Sequence, residues 1–486
     1  MKTHAPLRGI AEIRRFFRTN EMPIYFVSAT PFNLLGIDRW VRNFRFVNYY
    51  DCFDDYHPNV FVPREREPRP FTSIEEIVNY LLGHKEVADF VRDRGRGKAA
   101  FLMFDEESEQ LAKELDLAVA FPPASLRRRL DSKIVTTQLG DEAGVPSVPN
   151  VLGRAATHTE LLALAERAGL GTDLVVQLPY GDSGQTTFFV RSSADWKVHE
   201  EELAGQDLKV MRRIEPRETA IEGVITRHGT LVGPLMDELT GFPELTPYGG
   251  GWCGNDVFAR VLSDPHPEAA RDGMKRMGSR LEREGYRGYF EIDFLADAAD
   301  NSIYLGELNP RVTGASSITN VTAAAYGDMP LFLFHLLEFM DVDYEIDVDG
   351  LNERWTHPSN IDAWSQLVLK ECRPEVGLIT MAPISGVWRT NPDGGISFVR
   401  RDTDWHSLAD ESEAFFLRIA GPGGYRYKGA DLGILVTRGR LMNDDFELTD
   451  RARGWIQAIE ARFVSAPADA TVAPVPPPDP FGFKML

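Results

Sequence analysis

Two alternating segments near the middle of the chain constrain it most, because they place acidic groups on one side of a β-hairpin. Phe290-Glu291-Ile292-Asp293-Phe294 and Gly306-Glu307-Leu308-Asn309-Pro310-Arg311 are separated by a short polar stretch, residues 298–302. Strand side chains repeat every second residue, so a symmetric closure sets Asp293 across from Glu307 and Glu291 across from Asn309. Like charges placed opposite one another destabilise a hairpin, and a cation between them removes that penalty. Carboxylate and amide oxygens, with Arg311 close behind, suit Mg²⁺ held together with a substrate's phosphates. The alternative reading of the same residues is a solvated polar face on a surface hairpin.

At about 150 residues per domain, the 486 residues suggest roughly three domains. Lys plus Arg total 53 against 73 Asp plus Glu, a net charge of −20. Such a field disfavours nucleic acid and anionic membranes as bulk partners, while a local basic pocket remains compatible with phosphate. Cys52, Cys253 and Cys372 are far apart and form no closely spaced pair. They imply neither a disulfide framework nor a zinc site and fit a reducing compartment, so the expected location is the cytoplasm. The first residues lack the apolar stretch of a secretory signal. No run approaches the roughly 18 apolar residues needed to cross a bilayer.

Residues 22–30 and 99–104 have the apolar pattern of buried strands, the second ended by Asp105-Glu106-Glu107. Helical patterns at 73–82 and 108–115 alternate with them, which predicts a parallel α/β unit over about residues 1–124. A basic helix then carries Arg127, Arg128 and Arg129 just ahead of Lys133. A cluster of this kind is either a solvated helix face or an anionic-substrate contact. Ala143-Gly144-Val145-Pro146 predicts a helix stop followed by an extended, proline-bounded strand. After a helix at 159–168 comes a strand at 174–178, the loop 179–187 and a strand at 188–191. This loop, with Gly181, Asp182, Ser183 and Gly184, can fold backbone N–H groups over an anion, or it is plain turn chemistry. Short strands at 377–381, 395–400, 414–419 and 433–437 precede a last helix at 450–463. The Ala/Pro-rich tail, 466–486, has the composition of disorder.

Taken in order over residues 22–345, these motifs resemble the ATP-grasp superfamily. Asp131-Ser132-Lys133 with Ala143-Gly144-Val145-Pro146 is similar to the start of that fold in biotin carboxylases and carbamoyl phosphate synthetases. Residues 174–187 resemble the strand and glycine loop of its lid. Val210-Met211-Arg212-Arg213-Ile214 resembles the hinge strand that meets adenine, and Arg217-Glu218 through Glu222 the strand that follows. Asp293 with Glu307-Leu308-Asn309-Pro310-Arg311 resembles the metal-binding hairpin.

The resemblance implies an α/β and α+β architecture. An N-terminal Rossmann-like domain (1–124) would precede an ATP-grasp domain (125–345) whose mobile lid covers about 150–209. A mostly β C-terminal domain (346–465) and the tail would follow. It implies ATP and Mg²⁺ (or Mn²⁺) as cofactors, with Asp293, Glu307 and Asn309 holding the metal and Arg311 facing the transferring phosphoryl group or acyl phosphate. Lys133, Gln177, Gly181, Asp182, Ser183, Gly184, Arg212, Ile214 and Glu222 would contact the nucleotide. Two positions depart from the pattern: Gln177 stands where a phosphate-contacting lysine is usual, and Met211 where a glutamate is usual. Arg212 or Arg213 could supply the missing charge.

The implied reaction is ADP-forming ligation of a carboxylate to an amine, an amino acid or peptide, through an acyl phosphate. Some stand-alone ATP-grasp peptide ligases of natural-product pathways have a similar three-part layout. The alternatives are a biotin carboxylase-like enzyme that phosphorylates bicarbonate, against which no biotinyl-lysine Met-Lys-Met motif is present, and a degenerate nucleotide-binding module. A homodimer is compatible with the resemblance, although no residues specify an interface. Pro247 to Asp256, with Gly249, Gly250, Gly251 and Cys253, reads as a substrate-facing loop or a long surface connection. Ser28 to Asn33 could touch the carboxylate substrate, and Arg418 or Lys428 could close the acyl side. Each has a plain structural alternative.

Overall fold

The computed structural model describes residues 5–65, 71–181, 186–297, 299, 301–325 and 329–467. The expected disordered tail therefore lies largely outside the described residues, as do Asp182, Ser183 and Gly184 of the lid loop.

The first unit is a parallel sheet ordered Val60–Phe61, Phe44–Asn48, Ile24–Ser28, Gly97–Phe101 and Leu117–Val119. Ile24–Ser28 is buried along its whole length, as a central parallel strand covered on both faces must be. The strand expected over 99–104 stops at Phe101, and the acidic run after it opens a helix instead. Asp105 is the reason: its carboxylate accepts from Ser108 N while Ser108 caps back, which fixes the start of Glu106–Glu114.

The helix Lys133–Ala143 ends where Gly144 turns left-handed at φ 69°. The extended strand expected next is reduced to an isolated bridge between Ser147 and Leu305. The segment expected to form the lid is a four-stranded antiparallel sheet in the order Asn150–Gly153, Leu208–Arg212, Leu174–Gln177, Thr187–Val190. Val176, Val190, Trp196 and Val210 give it a small core of its own.

The largest element is a ten-stranded sheet with the acidic hairpin at one edge. Its order is Ser302–Asn309, Gly288–Asp297, Pro216–Thr226, Gly229–Thr240, Trp252–Val257, Trp364–Lys370, Asp431–Arg438, Glu413–Arg418, Gly386–Thr390, Ile396–Arg400. Asp293 pairs with Glu307 and Glu291 with Asn309, the register expected from alternation. C-terminal strands thus continue the sheet that carries the site, joined where Trp252–Val257 pairs with Trp364–Lys370. Gly377–Met381 instead belongs to a separate three-stranded sheet.

Helix Lys133–Ala143 reaches the hairpin through Gly140. A Cβ there would lie 2.5 Å from Leu305 Cδ2 and 2.6 Å from the Val145 carbonyl oxygen. Helix propensity alone would favour alanine by about 1 kcal/mol, but the backbone contact cannot yield. Gly140→Ala should therefore lower stability by about 1–3 kcal/mol in denaturant unfolding; an unchanged or higher midpoint would contradict this close approach.

Candidate active site

A cavity of about 1060 Å³ lies between the lid sheet and the acidic hairpin, and three kinds of residue line it. Val148, Val175, Met211, Ile214, Leu295 and Leu305 are apolar. Lys133, Glu218, Glu238, Glu291, Asp293, Glu307 and Arg311 are charged, and the Asn309 amide lies among them. The first unit adds Phe71, Leu102 and Met103, with Thr72 to Glu75 at the start of helix Ile74–Gly83, and Trp252 completes the lining.

The acidic groups share a face because their strands pair in register. Ala220 sits opposite Asp293 and Glu222 opposite Glu291, while the register of Thr219 with Asp237 brings Glu218 beside Glu238. Burial, followed by the surrounding carboxylates, pushes the acids of Glu238 and Glu291 well above their ordinary range. Asp293 is raised in the same way, by burial and then by Glu307, with Arg311 opposing. Asp293 Oδ1 is buried without a hydrogen bond. Asn309 Nδ2 donates to Glu291 Oε2 at 3.3 Å and to Asp293 Oδ2 at 3.4 Å. Lys133 Nζ donates to Glu307 Oε1 at 2.7 Å and to the Gly181 carbonyl at 2.9 Å.

An all-oxygen donor set of carboxylates and an amide fits a hard divalent cation. Asp293 Oδ1, with no proton donor of its own, is the group that most needs one. Among the described residues no three carboxylate, imidazole or thiol groups close on one point. A cation here would thus need oxygens from a bound ligand to complete its shell.

Most residues expected at the site border this one cavity: Lys133, Gln177, Arg212, Ile214, Asp293, Glu307, Asn309 and Arg311. Gly181 is reached through the hydrogen bond from Lys133. Glu222 is not in the wall. It is fully buried, accepting from Tyr289 Oη at 2.6 Å, from Thr313 Oγ1 at 3.1 Å and from Ser316 Oγ. The start of helix Ser316–Ala325 covers this part of the acidic face, so Glu222 braces the site from behind.

The basic helix also has a structural role. Arg127 is buried, donating to the Phe104 carbonyl at 2.9 Å and facing Glu75 at 3.4 Å. Arg128 pairs with Glu106 at 2.8 Å, and Arg129 with Glu284. Ser28 to Asn33 are buried outside the cavity wall, and Asn33 Nδ2 holds the Thr313 carbonyl at 2.8 Å. Arg418 is committed to Asp54, and neither it nor Lys428 borders the cavity. Gly249, Gly250 and Trp252 do border it, whereas Cys253 is buried behind them with its thiol pushed up to about 12 by burial.

Glu218 and Glu238 were not singled out by sequence. The available signal was strand alternation through Arg217-Glu218 and Asp237-Glu238, but no local pattern reveals that the two strands abut.

No protein-family model matches the chain. Over 226 residues it is 21% identical to the alpha subunit of mitochondrial methylcrotonoyl-CoA carboxylase from Arabidopsis thaliana; the match spans 46% of this chain but 30% of that protein. Among solved structures, the Campylobacter jejuni biotin carboxylase complex superposes with TM-score 0.60 at 11% identity, covering 92% of each chain. N5-carboxyaminoimidazole synthase from Aspergillus clavatus, solved with ADP and its aminoimidazole ribonucleotide, gives TM-score 0.55 at 14% identity over 91% of this chain and 99% of that one. The biotin carboxylase domain of Hydrogenobacter thermophilus 2-oxoglutarate carboxylase, with MgADP and bicarbonate, gives 0.58 at 11% over 91% and 90%. The chain shares the overall fold of these solved structures.

The raised pKa of Glu238 has a consequence for stability. Its native-state pKa lies above its unfolded value, so the native state binds the extra proton and stability falls as pH rises between the two. Glu238→Gln should therefore stabilise the ligand-free protein near pH 8 and do nothing near pH 4. The gap should open by at most about 1.4 kcal/mol per pH unit. Thermal melts across this range check it; a gap that is constant with pH would remove the electrostatic account.

Proposed function

We propose that the chain is an ATP- and Mg²⁺-dependent ligase that activates a carboxylate as an acyl phosphate, releases ADP, and passes the acyl group to an amine. The observation that carries this reading is the lining of one cavity, which combines apolar residues of the lid sheet and hairpin, the cluster Lys133, Asp293, Glu307, Asn309 and Arg311, and residues of the first unit (Phe71, Leu102, Met103). The apolar residues suit a purine. Bound Mg²⁺, held by Asp293, Glu307 and Asn309, would neutralise the oxygens of the triphosphate.

Lys133 is placed to contact those oxygens, since its ammonium already bridges the hairpin and the lid at Gly181. Arg311 offsets the repulsion between an incoming carboxylate and the polyphosphate. A carboxylate oxygen attacks the terminal phosphorus and its bond to ADP breaks. The amine nitrogen then attacks the acyl carbon, inorganic phosphate leaves, and the nitrogen loses a proton to solvent. The part of the cavity lined by Phe71, Leu102 and Met103 would hold the carboxylate and amine, for which an amino acid or peptide is the proposed class.

A second reading, phosphorylation of bicarbonate, is favoured by the carboxylases among the similar proteins. ADP release separates the two. Bicarbonate alone would stimulate it in a carboxylase, whereas a carboxylate and an amine together are needed in the ligase. A pure binding module would release none with any partner. In either enzyme, Glu307→Gln should cut Mg²⁺-dependent ADP release by about 100-fold or more while leaving the circular dichroism spectrum unchanged. Retained turnover would show that the hairpin is not the reacting centre.

A further inference from the structure

We infer that Lys209 is a phosphate-positioning cation, acting on the bound polyphosphate from just behind the cavity wall; this rests on the nucleotide reading above. The inference starts from the face that the lid sheet turns toward the cavity. Register pairs Val175 with both Phe189 and Met211, and Gln177 with both Thr187 and Lys209. Directly paired residues point to the same side of a sheet, so these six side chains form one face. Five of them line the cavity, and Lys209 is the sixth. It is also the only one of the six that carries a charge.

Lys209 is 1% exposed, and its ammonium donates to the neutral Ser147 hydroxyl at 3.2 Å. Among the described residues no carboxylate pairs with it. The charged groups facing it are Lys133 and Asp141 on helix Lys133–Ala143 and Glu307 on the hairpin. Burial, then the field of Lys133, pulls its ammonium down to about 8, with Glu307 and Asp141 acting the other way.

A buried cation without a counter-ion is unfavourable, and a lysine that only filled space would be better replaced by an apolar residue. An anion arriving on the cavity side of the same face removes that penalty. A polyphosphate carries enough charge for two lysines at once, while Glu307 alone is already committed to Lys133. Arg212, which also lines the cavity, and Arg213 are the other candidates for the charge that Gln177 lacks; Arg212 reaches Asp297 at 3.6 Å and Arg213 reaches Glu215 at 3.8 Å.

Calorimetric titration of the full chain with ATP, ADP and adenosine, at fixed Mg²⁺, tests this. Lys209→Met and Lys209→Gln should each weaken ATP binding by about ten-fold or more, ADP by less, and leave adenosine unchanged. Lys209→Gln keeps a hydrogen bond to Ser147 and serves if the methionine variant fails to fold. In the Lys209→Met background, Gln177→Lys should recover most of the ATP affinity by returning the charge to the paired position. Variants that bind ATP like the parent, or that lose adenosine affinity equally, overturn the inference alone. A parent chain that takes up no ATP overturns it together with the nucleotide reading.

Discussion

Every other feature of the site follows from the concentration of carboxylates on one face of the large sheet. Glu218, Glu238, Glu291, Asp293 and Glu307 come from four strands whose registers align them, and their mutual repulsion is strongest where burial removes water. The compensating charges arrive from outside those strands. Lys133 enters from the first turn of a helix, and Arg311 from the residues just after the hairpin. Because Lys133 also donates to the Gly181 carbonyl, and its own N–H to the Pro179 carbonyl at 2.8 Å, neutralising the hairpin fixes one end of the lid. Charge balance and lid position are therefore one constraint.

The C-terminal strands serve the same site through the junction of the sheet, where Gln366 pairs with Asn255 and Asn255 with Glu238. Gln366, in the strand that joins the two halves of the sheet, donates to the Gly314 carbonyl at 2.9 Å and to Asn255 Oδ1 at 2.8 Å. Gly314 borders the cavity, so the C-terminal region sets the position of its wall. Asp256 ties the same junction further out, accepting from the Leu441 and Met442 amides at 3.0 and 2.9 Å. Burial raises Asp256 to about 6, consistent with a carboxylate held by neutral donors, not by a cation.

What could be read from sequence was whatever depended on local period. The hairpin register follows from alternation over a few residues, and the face of Asp293, Glu307 and Asn309 follows from the register. Glu222 shows where this reasoning stops. Its parity along the strand is right, but burial beneath Ser316 and Thr313 depends on a helix that begins ninety-odd residues later. Glu238 was missed for the complementary reason, since nothing near it in the chain reveals Glu218 as its neighbour. Arg127, Arg128 and Arg129 drew attention through charge density. Their partners Glu75, Glu106 and Glu284 are remote in sequence and turn a candidate substrate contact into a structural clasp. The continuity of the sheet into the C-terminal strands was hidden in the same way, because its key pairing joins Gly254 to Leu367.

The lid illustrates how such a site can admit a ligand without loosening the fold. Trp196, Val176 and Val210 belong to a cluster separate from that of Phe290, Leu305 and Met274 beneath the hairpin. Polar links among the described residues tie the lid to the remainder: Lys133 to Gly181, Lys209 to Ser147, and Arg212 to Asp297. A unit with its own core, attached through polar links, can rotate as a body without exposing much apolar surface. Hydrogen bonds of this kind are exchangeable for bonds to a ligand at small net free-energy change. Two of these links use lysines on or beside the cavity wall. On the proposed nucleotide reading a polyphosphate would engage the same lysines, so ligand binding and lid position would compete for one set of donors.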